Sequence, residues 1–258
     1  MEGFWENDPS TNSPRNAENF NLLSAGWTKL KTGDTLTFSS ADAPTYVVST
    51  NRDLRNYLSV GMKLRLTHGG VTKYFFITAI DASTITLYGG TDYTLSASTI
   101  SDVYFSGHKN PYGFPTDIEK WQISASVYNQ TNPFTVSART AKTMLSIELP
   151  IGLWNIENIG WVNWRTNSPG VVFDGNYGLA LQQDSQASSA SGGFNQITYV
   201  ADTANNSGGD FRSNVSTSLL GYKVTNKQTI YGNAYQYLPN AQYRVFGRIS
   251  LKATIAYL

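Results

Sequence analysis

The alternation of apolar and polar residues predicts β-strands along most of this chain. Successive side chains of a strand point to opposite faces, so an apolar residue at every second position indicates one buried face. The segment that begins at Trp154 shows this pattern most clearly. One face carries Trp154, Ile156, Gly160, Val162 and Trp164. The other face carries Asn155, Glu157, Trp161 and Asn163. We therefore expect Trp154 and Trp164 in a core, and Trp161 at a surface where its ring contacts a ligand or another subunit.

Similar short segments on both sides of this strand predict an all-β chain. The most regular of them carries Met62, Leu64 and Leu66 in alternation with Lys63, Arg65 and Thr67. Gly69 and Gly70 follow it and predict a tight hairpin turn. One face of the last predicted strand is lined by Ile249, Leu251, Ala253, Ile255 and Tyr257. Strands separated by turn residues at such short intervals are typical of β-barrels and β-sandwiches.

Turn-rich stretches divide the chain into three predicted parts. Residues 1–26 are polar, and Ser13 and Pro14 are suited to begin a short helix as its N-cap and first residue. Residues 27–110 predict a small β module, either an open barrel or a sandwich. Residues 111–258 carry about eight strands and predict a jelly-roll-like β-sandwich. The Gly- and Pro-containing segment 107–115 is the expected linker.

Composition narrows the classes of function. Charged residues make up 14% of the chain, aromatic residues 13%, and the formal net charge is +1. This balance provides no basic patch for nucleic acid or for an anionic membrane surface. The chain has no cysteine, which excludes disulfides and thiolate metal sites. No apolar run is long enough to insert into a membrane, and no secretory signal is expected at the N-terminus.

Candidate catalytic residues are few. The two histidines, His68 and His108, lie in glycine-containing turns, where we expect solvated side chains. No histidine follows residue 108, so a Ser-His-Asp triad within the C-terminal domain is excluded. Glycoside hydrolysis requires only two carboxylates, and Glu148, Glu157 and Asp174 flank the tryptophan-rich strand. Their places on polar faces or in a turn favour structural roles. We expect no enzyme, cofactor or metal, and a polysaccharide depolymerase is the weaker alternative.

Residues suited to bind a saccharide are abundant by comparison. Aromatic rings pack against the C–H faces of sugars and lose little entropy on binding, while amides and carboxylates accept or donate hydrogen bonds to hydroxyl groups. The candidate ligand-binding residues are Trp161, Asn163, Asp174, Asn176, Tyr177 and Tyr235. The alternative is that these aromatic residues fill a core or a subunit interface.

Three stretches of the sequence match patterns of known proteins. The first is Asn12–Asn21, which reads N-S-P-R-N-A-E-N-F-N. The second is the module, through Gly61, Lys63, Leu64, Lys73, Tyr74, Phe75 and the segments 89–95 and 111–115. The third is Leu149-Pro150-x-Gly152-x-Trp154. Together they resemble the fibre and baseplate proteins of tailed bacteriophages. The first resembles their TP-x-N-A-E-N-L-N segment, with Ser and Phe where Thr and Leu are usual, and the third resembles the opening of trimeric jelly-roll receptor-binding heads.

This resemblance implies a virion tail protein, made in the host cytoplasm, that forms a homotrimer. It implies that the N-terminal segment attaches to other tail or baseplate proteins, with Trp5, Pro14, Asn16, Asn19 and Phe20 as the attachment residues. It also implies that the head binds a glycan of the host cell surface. The alternative is a purely structural virion protein, in the baseplate, collar or capsid decoration, that binds no receptor.

Overall fold

The computed structural model of the chain describes residues 25–128, 134–136, 141–166, 173–180, 197–202, 210–236 and 243–258. Most of these residues lie in β-strands, and one short 3₁₀ helix is the only helix among them. The all-β class is therefore confirmed. The expected attachment residues Trp5, Pro14, Asn16, Asn19 and Phe20, and the helix predicted at Ser13, lie outside the described residues. Within the described ranges, no helix has the length and apolar character needed to cross a membrane.

The chain divides into two compact units. The first unit contains the described residues up to Tyr88 together with Tyr93–Thr116, and the second contains Gly89–Asp92 and the described residues from Asp117 onward. Residues 111–116 thus pack with the first unit, whereas the turn-rich sequence places the boundary after residue 110.

The first unit is a seven-stranded antiparallel sheet. Its strands are β1 (Thr28–Lys29), β2 (Leu36–Asp42), β3 (Thr45–Thr50), β4 (Lys63–His68), β5 (Val71–Ile80), β6 (Thr84–Tyr88) and β7 (Ile100–Ser106). Their order across the sheet is β1-β7-β4-β5-β6-β3-β2. The predicted turn joins β4 to β5, and its Gly69 and Gly70 have φ values of +58° and +80°. Glycine adopts this left-handed conformation at low cost, which explains the two glycines.

One face of this sheet builds the core of the first unit. Every second residue of four neighbouring strands is buried there: Tyr46, Val48, Leu64, Leu66, Phe75, Ile77, Ile85 and Leu87. Leu54, Leu58 and Leu95 join the same core from connecting loops. A single sheet surrounds a single core, and β2 at one edge approaches β7 near the other. The sheet is therefore curled into an open barrel.

An aromatic cluster covers part of the opposite face. The rings of Phe76 and Phe114 meet edge to face with centroids 5.1 Å apart, and Trp27 Nε1 donates a hydrogen bond to the Tyr112 carbonyl at 2.8 Å. Lys63 is only 3% exposed, and its ammonium lies 5.1 Å from the Phe76 centroid and 5.3 Å from the Phe114 centroid. Burial lowers the pKa of Lys63. The alternation assigns Lys63 to a polar face, but the cluster covers that face and buries the side chain.

The expectation that His68 is a solvated turn residue is wrong. His68 is the last residue of β4 and is 6% exposed. Its Nδ1 lies 3.2 Å from Lys73 Nζ, and its Nε2 lies 3.2 Å from the Ser96 carbonyl oxygen. Lys73 also donates a hydrogen bond to the Thr94 carbonyl at 2.6 Å. The histidine therefore helps to hold a neighbouring loop against the sheet. His108 is exposed, as expected.

The second unit consists of two antiparallel sheets. After the 3₁₀ helix η1 (Ile118–Trp121), its strands are β8 (Gln122–Tyr128), β9 (Phe134–Val136), β10 (Ala141–Leu149), β11 (Gly152–Thr166), β12 (Phe173–Ala180), β13 (Ile197–Asp202), β14 (Asp210–Val224), β15 (Gln228–Gln236) and β16 (Tyr243–Ile255). The five-stranded sheet has the order β14-β11-β16-β8, with β9 also paired to β16. The four-stranded sheet has the order β10-β15-β12-β13.

The strand pairing of the second unit is that of a jelly roll. β8 pairs with β16, β10 with β15, β11 with β14 and β12 with β13. The pairs are nested along the chain: the first of these strands pairs with the last, and each following strand pairs with the one before that, as in one long folded hairpin. β11 also pairs with β16, and β12 with β15, so the hairpin is rolled into two sheets. This double Greek-key arrangement defines the jelly roll and confirms the predicted fold of the head.

The core of the second unit lies between its two sheets. The five-stranded sheet buries Trp154, Ile156, Val162, Ile249, Leu251, Ala253 and Ile255, and the four-stranded sheet buries Leu145, Ile147, Leu149 and Ile230. Trp154 is fully buried, and its Nε1 donates a hydrogen bond to the Pro150 carbonyl at 3.0 Å. The core position predicted for Trp154 is therefore confirmed. The side chain of Trp164 lies outside what the structure describes.

The loop Gly89–Asp92 belongs to the second unit and is held by η1. The backbone amide of Thr91 donates to the Lys120 carbonyl at 2.9 Å. Gly90 has a φ of +63°, and a Cβ at this position would overlap the Lys120 carbonyl oxygen and lie 3.0 Å from Trp121 Cε3. Only glycine fits this close approach, which explains one position of the sequence pattern 89–95.

Candidate functional site

The outer face of the five-stranded sheet carries the candidate site. The side chains of β11, β16 and β8 stand there in rows that the strand register fixes. In one row, Trp161 lies opposite Arg248, which in turn lies opposite Tyr128. The next two rows are Ile159–Ser250–Ser126 and Glu157–Lys252–Ser124. Directly opposed residues on one face have Cβ atoms about 5 Å apart, so each row is a set of neighbouring side chains.

A groove of about 830 Å³ runs over these rows and is lined by residues of all three strands. Tyr128 is 63% exposed and Ile159 is 54% exposed, while Trp161 is partly exposed. The volume lies within the usual range of ligand-binding clefts in proteins. Aromatic rings stand at one end of the groove, and an acidic and a basic side chain stand at the other.

Gly160 is a position of β11 where the backbone of β16 leaves no room for a side chain. Its φ is +155°, and a Cβ at this position would overlap the Arg248 carbonyl oxygen and lie 2.8 Å from Ile249 Cα. The next residue is Trp161, which stands directly opposite Arg248. The absence of a side chain at Gly160 therefore lets β11 and β16 stay paired next to the tryptophan and the arginine.

Charge is distributed unevenly along the groove. Glu157 and Lys252 are directly opposed on neighbouring strands, an arrangement that is favourable for opposite charges. Arg248 has two aromatic residues, Trp161 and Tyr128, as its cross-strand neighbours instead. Among the residues that the structure describes, no carboxylate forms an ion pair with Arg248. The aromatic end of the groove therefore presents a positive charge.

The predicted ligand-binding residues fall on two different sheets. Trp161 and Asn163 lie two positions apart on β11, and both are partly exposed. The other four predicted residues lie in the four-stranded sheet: Asp174, Asn176 and Tyr177 on β12, and Tyr235 on β15. Asn176 and Tyr235 are register partners there. The backbone of the second group therefore belongs to the sheet that does not carry the groove.

Sequence reasoning missed Arg248 and Tyr128. Arg248 lies opposite Trp161 on the next strand, and Tyr128 lies opposite Arg248 on the strand after that. The alternation of Gln122, Ser124, Ser126 and Tyr128 with Ile123, Ala125 and Val127 marks their strand face. Arg248 shares its face with Lys252 by the same period of two. The pattern therefore gives the face of each residue. It does not give the register that aligns three distant segments of the chain.

The candidate catalytic carboxylates do not form a recognisable pair in the described structure. Glu148 forms an ion pair with Lys227 on the four-stranded sheet side of the head. Glu157 lies in the groove on the five-stranded sheet. The side chain of Asp174 lies outside what the structure describes. Within the described ranges, no group of three or more acidic or histidine residues is arranged to hold a metal ion.

No protein-family profile and no curated protein matches this sequence. Several solved structures resemble the fold at low identity. A chain of the T13 viral particle of infectious bursal disease virus aligns over 87% of this chain and 70% of its own, with 10% identity and a TM-score of 0.37. The VP2 subviral particle of the same virus aligns over 91% and 59%, with 12% identity and a TM-score of 0.35.

A β-porphyranase of glycoside hydrolase family 86 from Bacteroides plebeius aligns over 88% of this chain and 37% of its own, with 10% identity and a TM-score of 0.25. A capsid protein and a carbohydrate-active enzyme thus resemble this chain to a similar, low degree. Similarity at this level carries no conclusion about what the chain binds or does.

Proposed function

We propose that this chain is a tail protein of a tailed bacteriophage and that its jelly-roll head binds a saccharide of the host cell surface. The observation that carries the binding role is the partly exposed Trp161, which lies in a groove on the outer face of a sheet beside polar side chains. The resemblance of the segments 12–21, 27–115 and 149–154 to fibre and baseplate proteins supports the virion location.

The groove has the chemistry that a sugar requires. The rings of Trp161 and Tyr128 offer apolar faces to the C–H groups of a pyranose. The hydroxyl groups of Ser126 and Ser250 and the carboxylate of Glu157 offer hydrogen bonds to sugar hydroxyls. Aromatic side chains of this kind lose little conformational entropy when they bind, so a shallow site still gives measurable affinity.

A purely structural virion role is the second candidate, because the same face also exposes large aliphatic residues. Leu220 is 73% exposed on β14, and Ile159 on the adjacent strand is 54% exposed. Large apolar residues that are exposed on the outer face of a sheet are often covered by a neighbouring protein. In this case the groove would contact a neighbouring virion protein rather than a glycan. A polysaccharide depolymerase remains the least favoured alternative.

Replacing Trp161 tests the proposal directly. We expect the purified full chain to bind host cells or their isolated cell-wall polysaccharide, and Trp161→Ala to weaken this binding about tenfold or more without changing the oligomeric state. The matched control is Tyr112→Ala, since Tyr112 is an aromatic residue that is 83% exposed and is not among the residues that line the groove. Binding should be measured by co-sedimentation with cells, and oligomeric state by analytical ultracentrifugation.

Three outcomes would contradict this function. If Trp161→Ala binds cells as well as the wild type does, the groove is not the site that binds the host cell. A wild-type chain that ignores host cells but binds purified tail proteins would favour the structural role. Release of reducing sugar from the polysaccharide would favour the depolymerase.

A further inference from the structure

Arg248 occupies a distinctive position in the groove. It lies on β16 between Trp161 of β11 and Tyr128 of β8, so aromatic residues stand on both sides of it in the same row. Arg248 is exposed, and no carboxylate among the described residues forms an ion pair with it. A guanidinium that has no acidic partner and stands between two rings is suited to bind an anion carried by a ligand that also stacks on those rings.

We infer that the groove selects an acidic saccharide, with the carboxylate of a uronic acid bound by Arg248 and its sugar ring packed against Trp161. This inference rests on the proposed function and specifies its ligand. The guanidinium presents parallel N–H donors that match a planar carboxylate in a bidentate arrangement. The serine hydroxyls of the adjacent row, Ser126 and Ser250, then face the hydroxyl groups of the same or the next sugar.

The charges in the groove favour a ligand with one isolated carboxylate. Two cations, Arg248 and Lys252, and one carboxylate, Glu157, line the groove, which leaves a single positive charge. Lys252 lies four residues from Arg248 on β16, about 13 Å along the strand, and stands opposite Glu157. A polymer with densely spaced phosphates would bring a negative charge towards Glu157. A uronic acid that is followed by neutral sugars would instead place hydroxyl groups beside Glu157 and Lys252.

Three matched oligosaccharides test this inference. The first carries one glucuronic acid among neutral sugars, the second is its carboxyl-reduced form, and the third carries a 6-phosphate in place of the carboxylate. Binding to the full chain should be measured by isothermal titration calorimetry at low and high salt. We expect the uronate form to bind about tenfold more tightly than the reduced form, and the difference to shrink as salt rises.

Substitutions at Arg248 assign this preference to the residue. Arg248→Gln should bind the uronate and reduced forms equally, while Arg248→Lys should retain part of the preference because it keeps the charge without the fork of donors. The matched control is Lys223→Gln, which removes another exposed positive charge from β14, outside the groove, and should keep the full preference. Thermal unfolding of each variant should match that of the wild type, because Arg248 and Lys223 are both exposed.

Each contrary result has a distinct meaning. If the wild type binds the uronate and reduced forms with equal affinity, and Trp161→Ala weakens both, the groove binds a saccharide but does not select an acidic one. If the phosphorylated form binds most tightly, the anionic group that the groove selects is a phosphate and not a carboxylate. If Arg248→Gln still prefers the uronate form, Arg248 is not the residue that binds the carboxylate. Failure of every oligosaccharide and of host polysaccharide to bind would overturn the proposed function itself.

Discussion

Among individual residues, Asp34 lies at the centre of a polar cluster in the first unit. Its side chain is 2% exposed. It accepts a hydrogen bond from Arg52 Nη2 at 2.8 Å and another from the Tyr57 hydroxyl. The Arg52 hydrogen bond lowers the pKa of Asp34, while burial and the hydrogen bond to Asp34 raise the pKa of Tyr57 to about 12. The cluster therefore favours a charged carboxylate beside a neutral phenol.

This cluster predicts a loss of stability in acid. The folded pKa of Asp34 is below its unfolded value of 3.8, so its contribution is fully present above that value and is lost as pH falls through the folded pKa. We expect Asp34→Asn to lower the unfolding temperature at about pH 7, and the difference from the wild type to shrink below about pH 4. Thermal unfolding of both proteins across this range measures the effect. The exposed turn residue Asp81 provides the control Asp81→Asn, and a difference that stays constant with pH would contradict the prediction.

Buried polar residues mark the limit of sequence reasoning at this scale. Lys63, His68 and Asn158 are 3%, 6% and 1% exposed, although their polarity assigns them to solvent. Lys63 is covered by an aromatic cluster, and His68 is covered by a loop. Asn158 lies on the inward face of β11 with Ile156 and Val162. Here the period of two predicts the burial correctly, and only the polarity of the side chain argues against it. What covers a strand face depends on distant segments of the chain, which local alternation cannot reveal.

For whole strands, alternation predicted the buried faces of β11 and β16. In β11 it separated the buried Trp154, Ile156 and Val162 from the outward Trp161. In β16 it identified the buried face that contains Ile249 and Leu251. It could not predict the jelly-roll pairing itself, because each of those ladders joins segments whose register is set by packing between sheets. The candidate groove depends on that register, so the sequence yielded one of its aromatic residues and not its neighbours.

The close approach of β11 and β16 predicts a specific sensitivity at Gly160. A methyl group there would overlap the backbone of β16, so we expect Gly160→Ala to destabilise the head by about 2–3 kcal/mol and to weaken saccharide binding. The matched control is Gly221→Ala on β14. Gly221 has a φ of +66° with nothing within 4 Å of an added Cβ, so only the left-handed backbone cost of about 1 kcal/mol applies.

Chemical denaturation of both variants, monitored by tryptophan fluorescence, separates the steric cost from the backbone cost. A smaller loss at Gly160 than at Gly221 would show that β11 and β16 do not approach as closely as described. Unchanged saccharide binding by Gly160→Ala would show that the spacing of Trp161 and Arg248 does not matter for recognition.

The whole molecule is expected to act through several weak sites at once. A groove that is open to solvent on one side gives one saccharide a dissociation constant of about 1 mM, or roughly −4 kcal/mol. The resemblance to trimeric receptor-binding heads predicts three such grooves on one particle. When one groove is bound, the others encounter the same surface at a high effective concentration. Adhesion would then be firm overall while each contact remains reversible.

This arrangement predicts a large gap between affinity for a free oligosaccharide and affinity for a cell. Sedimentation should give a mass of about three times 28.4 kDa at micromolar concentration. The apparent affinity for cells should exceed that for the soluble oligosaccharide by about 10²- to 10⁴-fold, since linked sites gain this factor without new contacts. Surface plasmon resonance at decreasing glycan density provides the control, because the gap should close when the immobilised chains are too far apart to bridge two grooves. A folded monomer in sedimentation would contradict adhesion by multiple linked sites, and so would an affinity gap that does not change with glycan density. In either case a single groove would account for all of the binding.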